Sequence, residues 1–135
     1  MVDETVDGVV RHRSSDGGAY EVAAGYSRAV AIGNLIAVSA TGCEPSELSS
    51  DTYGQTRSAF QRVLAAIADL GGSRAGVVRT RLYLAPEAKW QEAARAHADL
   101  FGDLLPANAT VYVAGLIGDG VLVEAEADCW KGDAG

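Results

Sequence analysis

Val77 to Leu84 reads V-V-R-T-R-L-Y-L. β-Branched and aromatic side chains suit a pleated, half-buried surface, so this run predicts a strand. Successive side chains on a strand point to opposite faces. Arg79, Arg81 and Tyr83 then share one face, and Val78, Thr80, Leu82 and Leu84 the other. The run lies between two segments of helical period, and this placement decides the fold class. Upstream, Tyr53, Phe60, Val63, Leu64, Ile67 and Leu70 recur at helical spacing. Ser50 or Asp51 can cap that helix, and Gly71-Gly72 can end it. Downstream, Pro86 suits the first turn of a second helix, with Trp90, Ala94, His97 and Phe101 on one stripe.

Working outward, Pro106-Ala107 turns into a strand over Thr110–Ala114. The G-L-I-G-D-G run at 115–120 makes another turn, and Val121–Trp130 is the last strand. Toward the N-terminus, Gly33-Asn34 is a hairpin signal between strands at Ala29–Ile32 and Leu35–Ala40. Val9 to about Ser14 predicts a short first strand, Ser15–Gly18 a turn, and Glu44–Ser50 a polar loop. The acidic start and the terminal K-G-D-A-G are expected to fray. The order β-β-β-α-β-α-β-β implies an α+β domain: a sheet with two helices on one face. The opposite face then needs cover, and in a small domain another copy of the chain supplies it economically.

The chain has 135 residues, enough for one domain over 1–135, with an ordered core expected at about 8–130. Hydrophobic residues make up 48%, and the net charge is −7. Such a balance disfavours nucleic acid and anionic membranes, both of which call for clustered Lys and Arg. The N-terminus lacks the basic and apolar regions of a signal peptide, and no apolar run reaches membrane-span length. Cys43 and Cys129 are too few for a disulfide framework, so reduced, structural thiols in a cytoplasm are expected. Neither they nor the two histidines, His12 and His97, have ligand spacing, so no metal site is expected.

The last strand alternates Val121, Val123, Ala125 and Ala127 with Leu122, Glu124, Glu126, Asp128 and Trp130. Three acids on one face find natural partners in Arg79 and Arg81 across strands. One reading makes all three acids part of an ion-pair network; the other leaves Glu124, deepest toward the 115–120 turn, free to handle a proton. His97 is a core or interface histidine, or a second polar group of a site. Gly25-Tyr26-Ser27 could bring a phenol and a hydroxyl to a cleft. Pattern alone reaches an oligomeric α+β domain with a polar interface cleft.

An ordered set of segments resembles the Rid family (reactive intermediate deaminases, or YjgF-like proteins). These are A-G-Y-S-R-A-V at 24–30, G-N-L-I-A-V-S-A-T-G at 33–42, Q-T-R-S-A-F at 55–60, V-V-R-T-R-L-Y-L at 77–84, P-A-N-A-T-V-Y-V at 106–113 and L-V-E-A-E-A at 122–127. The resemblance implies a chorismate-mutase-like fold and a homotrimer with a cleft at each subunit interface. It also implies hydrolysis of imines and enamines without metal or cofactor. By position, Tyr26 matches the cleft tyrosine, Ser39 the residue closing the third strand, and Glu124 the acid that positions or activates water. Ala40 stands where glycine is usual, and Ala94 where many members carry asparagine. Asn108 replaces the arginine of P-A-R-S/T, which grips the substrate carboxylate through two parallel charge-assisted bonds. Losing such a contact costs on the order of 1.5–3 kcal/mol, about ten- to a hundredfold in binding. The expected activity is therefore weak on 2-iminoacids and directed at a small imine, enamine or carbonyl compound without a carboxylate there. Glu124 would be the base, Asn108 and Thr110 would hydrogen-bond the substrate, and Tyr26 would wall the cleft. The rival is a non-catalytic trimer that binds a metabolite.

Overall fold

A computed structural model describes residues 3–14 and 18–132, with side chains from residue 5 onward. Seven strands and three α-helices run in the order β1 (Asp3–Val6), β2 (Val9–His12), α1 (Ala19–Ala24), β3 (Ala29–Ile32), β4 (Leu35–Thr41), α2 (Thr52–Asp69), β5 (Val77–Leu84), α3 (Trp90–Phe101), β6 (Ala107–Tyr112) and β7 (Val123–Trp130). The strands form one mixed sheet in the order β1-β2-β3-β4-β7-β5-β6. Among the described residues only β5 and β6 pair in parallel, as the α3 crossover between them requires.

The expected α+β sheet is present, with differences of detail. The acidic start does not fray over Asp3–Val6, which pairs with β2 from Asp3↔His12 to Val6↔Val9. Its alternation is too short and too polar to stand out. The turn expected at Ser15–Gly18 lies mostly outside the described residues. Helix α1 was not expected, since six residues show little periodicity. Pro86 opens a turn closed by Ala88 N–H donating to the Ala85 carbonyl at 3.0 Å, and α3 begins only at Trp90. The buried stripe of α3 is Ala93, Ala96 and Phe101, while Trp90 and Ala94 face solvent. The start at Trp90 rotates the face that meets the core. Strand β6 starts earlier than expected, at Ala107, and β7 starts later, at Val123.

Helix α2 is capped by Asp51, whose carboxylate accepts the Gly54 N–H at 2.8 Å. Gly71, at φ 89, lets Gly72 N–H close on the Ile67 carbonyl at 2.9 Å. Phe60, Val63 and Ile67 of α2 then pack onto Ile36, Val38, Val123, Ala125, Ala127 and Cys129 of the sheet. The small alanines of β7 leave room for the helix at the sheet centre. Helix α3 lies beside α2, with Phe101 edge-on to Phe60 at 5.0 Å.

Among the described residues, no helix packs broadly on the opposite sheet face. Arg81 lies 3.3 Å from Asp128 and 3.5 Å from Glu126, and Tyr83 Oη donates to Glu126 at 2.7 Å. The expected cross-strand network therefore forms, centred on Arg81. Beside it, register aligns Ile32 with Leu35 and Leu35 with Trp130, three large exposed apolar side chains. Val78, expected to share a face with Thr80, Leu82 and Leu84, is exposed while those three are buried, because the β5–β7 register shifts between Val77 and Arg79. That bulge buries Val77 instead.

Candidate functional site

A cavity of about 490 Å³ opens beside β4 and β7, lined among others by Tyr26, Arg28, Ala40, Cys43, Val121 and Glu124. Each wall has a local cause. Gly25, at φ 78, ends α1 and turns the chain so that Tyr26 N–H closes on the Glu21 carbonyl at 3.0 Å. The β4–β7 register shifts between Val38 and Thr41, a bulge that contains Ser39 and Ala40. Ala40 reaches the cavity. Ser39 does not line it: its hydroxyl donates to the Ser27 carbonyl at 2.7 Å and ties the bulge to the preceding loop.

Arg28 is a cavity residue whose role no sequence pattern announces. Its Nη1 donates to the Ala40 carbonyl at 2.8 Å and to Thr41 Oγ1 at 2.6 Å. Its Nη2 stands 3.6 Å from Glu21 Oε2, and its guanidinium lies 5.9 Å from the Tyr26 ring centroid. Glu21 is 3% exposed, and its carboxylate accepts both the backbone N–H and the hydroxyl of Ser14. The Arg28 charge is thus matched by a buried carboxylate. Arg62 extends the same edge, bonded to the Gly42 carbonyl at 2.9 Å and 3.6 Å from Glu44.

Glu124 differs from the other acids of β7. Among the described residues it has neither an ion pair nor a hydrogen bond, while Glu126 and Asp128 both meet Arg81. Burial pushes its carboxyl above the ordinary range; Arg28 pulls it back in part, and Glu126 adds to the rise. A half-buried carboxyl of raised pKa, facing a hollow with a phenol and a guanidinium, is equipped to take up and return a proton. Burial also raises the Cys43 thiol, which keeps it a poor nucleophile.

Asn108, Thr110 and His97 lie elsewhere, on the helix side of the sheet. Parallel register sets Asn108 opposite Thr80 and Thr110 opposite Leu82. Asn108 Nδ2 donates to Thr80 Oγ1 at 3.1 Å, and Thr80 Oγ1 is 2.7 Å from His97 Nε2. His97 packs against Phe60 and Phe101 with ring centroids 5.7 and 5.0 Å away, and burial lowers its pKa. Within one chain, then, Tyr26, Ala40 and Glu124 come together, and Asn108, Thr110 and His97 form a second group across the sheet. Ala94 joins neither. Arg28 lies within A-G-Y-S-R-A-V at 24–30, but a single arginine before a strand carries no signal of its partner Glu21.

Among the described residues no helix is long and apolar enough to cross a membrane. Residues 17–130 match the family described as Endoribonuclease L-PSP. A Streptomyces coelicolor protein of uncharacterised function is 33% identical over 123 residues, covering 89% of this chain and 92% of that one. The solved structure of a YjgF/YER057c/UK114 family member from Mycobacterium tuberculosis is similar at TM-score 0.82 and 39% identity, covering 90% of this chain and 98% of that one. A Rid-family protein from Yersinia pestis shares the fold at TM-score 0.70 and 24% identity, over 78% of this chain and 86% of its own.

Proposed function

This chain belongs to the Endoribonuclease L-PSP family, also called YjgF/YER057c/UK114 or Rid, and from that premise we propose that it acts on a small reactive imine, enamine or carbonyl compound in clefts shared between subunits of a homotrimer with a chorismate-mutase-like fold. The observation that carries this reading is Glu124, an unpaired carboxyl of raised pKa in a cavity with Tyr26 and Arg28. Glu124 positions and deprotonates the attacking water, or moves a proton on the substrate itself. Tyr26 and Ala40 shape the wall around it.

The shared cleft is supported by two features. The Glu124 group and the Asn108 group lie on opposite faces of one sheet, so one chain cannot close them around a single small molecule. The helix-free face carries the exposed row Ile32, Leu35 and Trp130, whose apolar surface a neighbouring copy would cover.

Standard 2-iminoacids are poor substrates in this reading, because position 108 holds a neutral amide in place of a guanidinium. No metal or cofactor takes part. Nucleic acid is not the substrate despite the family's descriptive name: the net charge is −7, and the cavity arginines face Glu21 and Glu44. The working location is the cytoplasm.

The test couples the protein to an amino-acid oxidase that generates imines and compares imine loss with Glu124→Ala. A panel of imines with and without carboxylates separates the substrate classes. Acceleration on carboxylate-free imines that Glu124→Ala abolishes supports the enzyme. Equal rates for the two proteins across the panel leave the non-catalytic, metabolite-binding trimer.

A further inference from the structure

Four side chains connect the exposed edge strand to the interior of α3: Thr110, Asn108, Thr80 and His97. The fold dictates their contact. Thr110 and Asn108 are two apart on β6 and share a face, and parallel register places Asn108 beside Thr80. Thr80 is fully buried beneath His97. What matters is the direction in which the protons point.

The Asn108 amide group facing Thr80 lies 3.1 Å from Thr80 Oγ1 and 3.5 Å from the Thr80 carbonyl oxygen. A carbonyl oxygen only accepts, so the NH2 faces Thr80 and the amide oxygen faces Thr110. That oxygen accepts the Thr110 hydroxyl at 3.0 Å. A hydroxyl has one proton to give. Thr80 is fully buried, and among the described residues its hydroxyl has two polar neighbours, the Asn108 NH2 and His97 Nε2; only the second can accept, so the Thr80 proton goes to His97 Nε2, 2.7 Å away. This needs the neutral ring with its proton on Nδ1, and the ring's burial against Phe60 and Phe101 favours neutrality. Every donor therefore points inward, from Thr110 to Asn108 to Thr80 to His97. The outer end is left with the Thr110 oxygen lone pairs, an acceptor.

We propose that the β6 wall selects a ligand carrying an N–H or O–H donor, such as a carboxamide, an amine, an enamine N–H or a hydroxyl, where the arginine of related proteins would face a carboxylate. The ligand class rests on the shared-cleft reading above; the direction of the chain does not. A carboxylate at this wall meets an acceptor and finds no charge. Taking the Thr110 proton for itself would leave Asn108 Oδ1 without its donor. Asn108, Thr80 and His97 are positioning residues, and Thr110 is the group that touches the ligand.

The test has two arms on the full chain. Long-range 15N NMR of the His97 ring reads the tautomer: a bare Nε2 with the proton on Nδ1 is expected, and an Nε2–H ring overturns the proposal. Titration then compares pyruvamide with pyruvate, which differ at the one group. The amide is expected to bind about tenfold more tightly. Thr110→Val should remove that preference, and Asn108→Arg should reverse it. Equal or tighter binding of pyruvate to the unaltered protein, or binding of neither, overturns the ligand class. Failure of the shared-cleft reading shows separately, as a monomer in solution with its His97 tautomer unchanged.

Discussion

The side-chain oxygen of Gln55 accepts the Leu122 N–H at 2.9 Å, while its Nε2 donates to the carbonyls of Gly120 at 2.9 Å and Leu48 at 3.1 Å. Gln55 is fully buried near the start of α2. One amide thus fastens the loop that carries Ile117 and Val121 into the cavity wall. Gln55→Leu would strand three backbone groups and should cost about 3 kcal/mol in denaturant melts. A milder variant, Gln55→Glu, loses the two donated bonds. If the loop shapes the substrate wall, this variant should raise KM more than it lowers kcat.

Glu124 makes stability depend on pH in a stated direction. Burial raises its folded pKa, whereas the unfolded chain titrates near the ordinary value of 4.5. Between the two values the folded chain holds more protons, so stability falls as pH rises through that window. Above the window the penalty is constant. Glu124→Gln should therefore raise Tm at pH 7 and lose that advantage near pH 4. A Tm difference independent of pH would contradict the raised pKa. In the proposed reaction, kcat/KM should rise with pH through the same window, as the carboxyl becomes the base.

Gly76 stands at the entry to β5 where a Cβ would come within 2.1 Å of the Trp130 carbonyl oxygen. The obstacle is backbone, which cannot move aside as a side chain can. Gly76→Ala should cost about 3 kcal/mol by thermal or chemical denaturation. Gly115→Ala, with open space around its Cβ position, is the matched control and should be nearly neutral.

Trp130 and Leu35 are cross-strand neighbours on the helix-free face, 54% and 42% exposed. If that face is where copies meet, Trp130→Arg should yield monomers by light scattering while circular dichroism stays native. Imine turnover should fall with assembly, because the two halves of the cleft separate. A trimer that survives both Trp130→Arg and Leu35→Asp would place the contact elsewhere.

What could be read in the sequence was what repeats. The Gly33-Asn34 hairpin, the α2 stripe and the alternation of β5 and β7 each rest on several residues in phase. Single-residue geometry was hidden. The bulge that exposes Val78 shifts one register position, and nothing in V-V-R-T-R-L-Y-L marks it. Pro86 fits a helix start and a turn equally well, and the turn won because α3 begins where the Tyr112 hydroxyl can receive the Trp90 N–H at 3.1 Å. From the residues alone, Glu124 stands out among three acids only by depth along the strand; the family resemblance points to it independently. Its difference is one of partners, since Arg81 reaches Glu126 and Asp128 but not Glu124. Arg28 and Gln55 act through residues far away in sequence, which no local pattern can announce.

The central position of β7 has a consequence for how the chain is made. Strands β1 to β4 lie on one side of it and β5 and β6 on the other, yet β7 is the last of the seven to leave the ribosome. Until Val123–Trp130 emerges, the nascent chain holds two sheet fragments with facing open edges. Both are templates for pairing with the wrong strand. Joining them is a long-range event that local propensity cannot hasten. A chain truncated just before Val123 would therefore display two unjoined halves of a sheet.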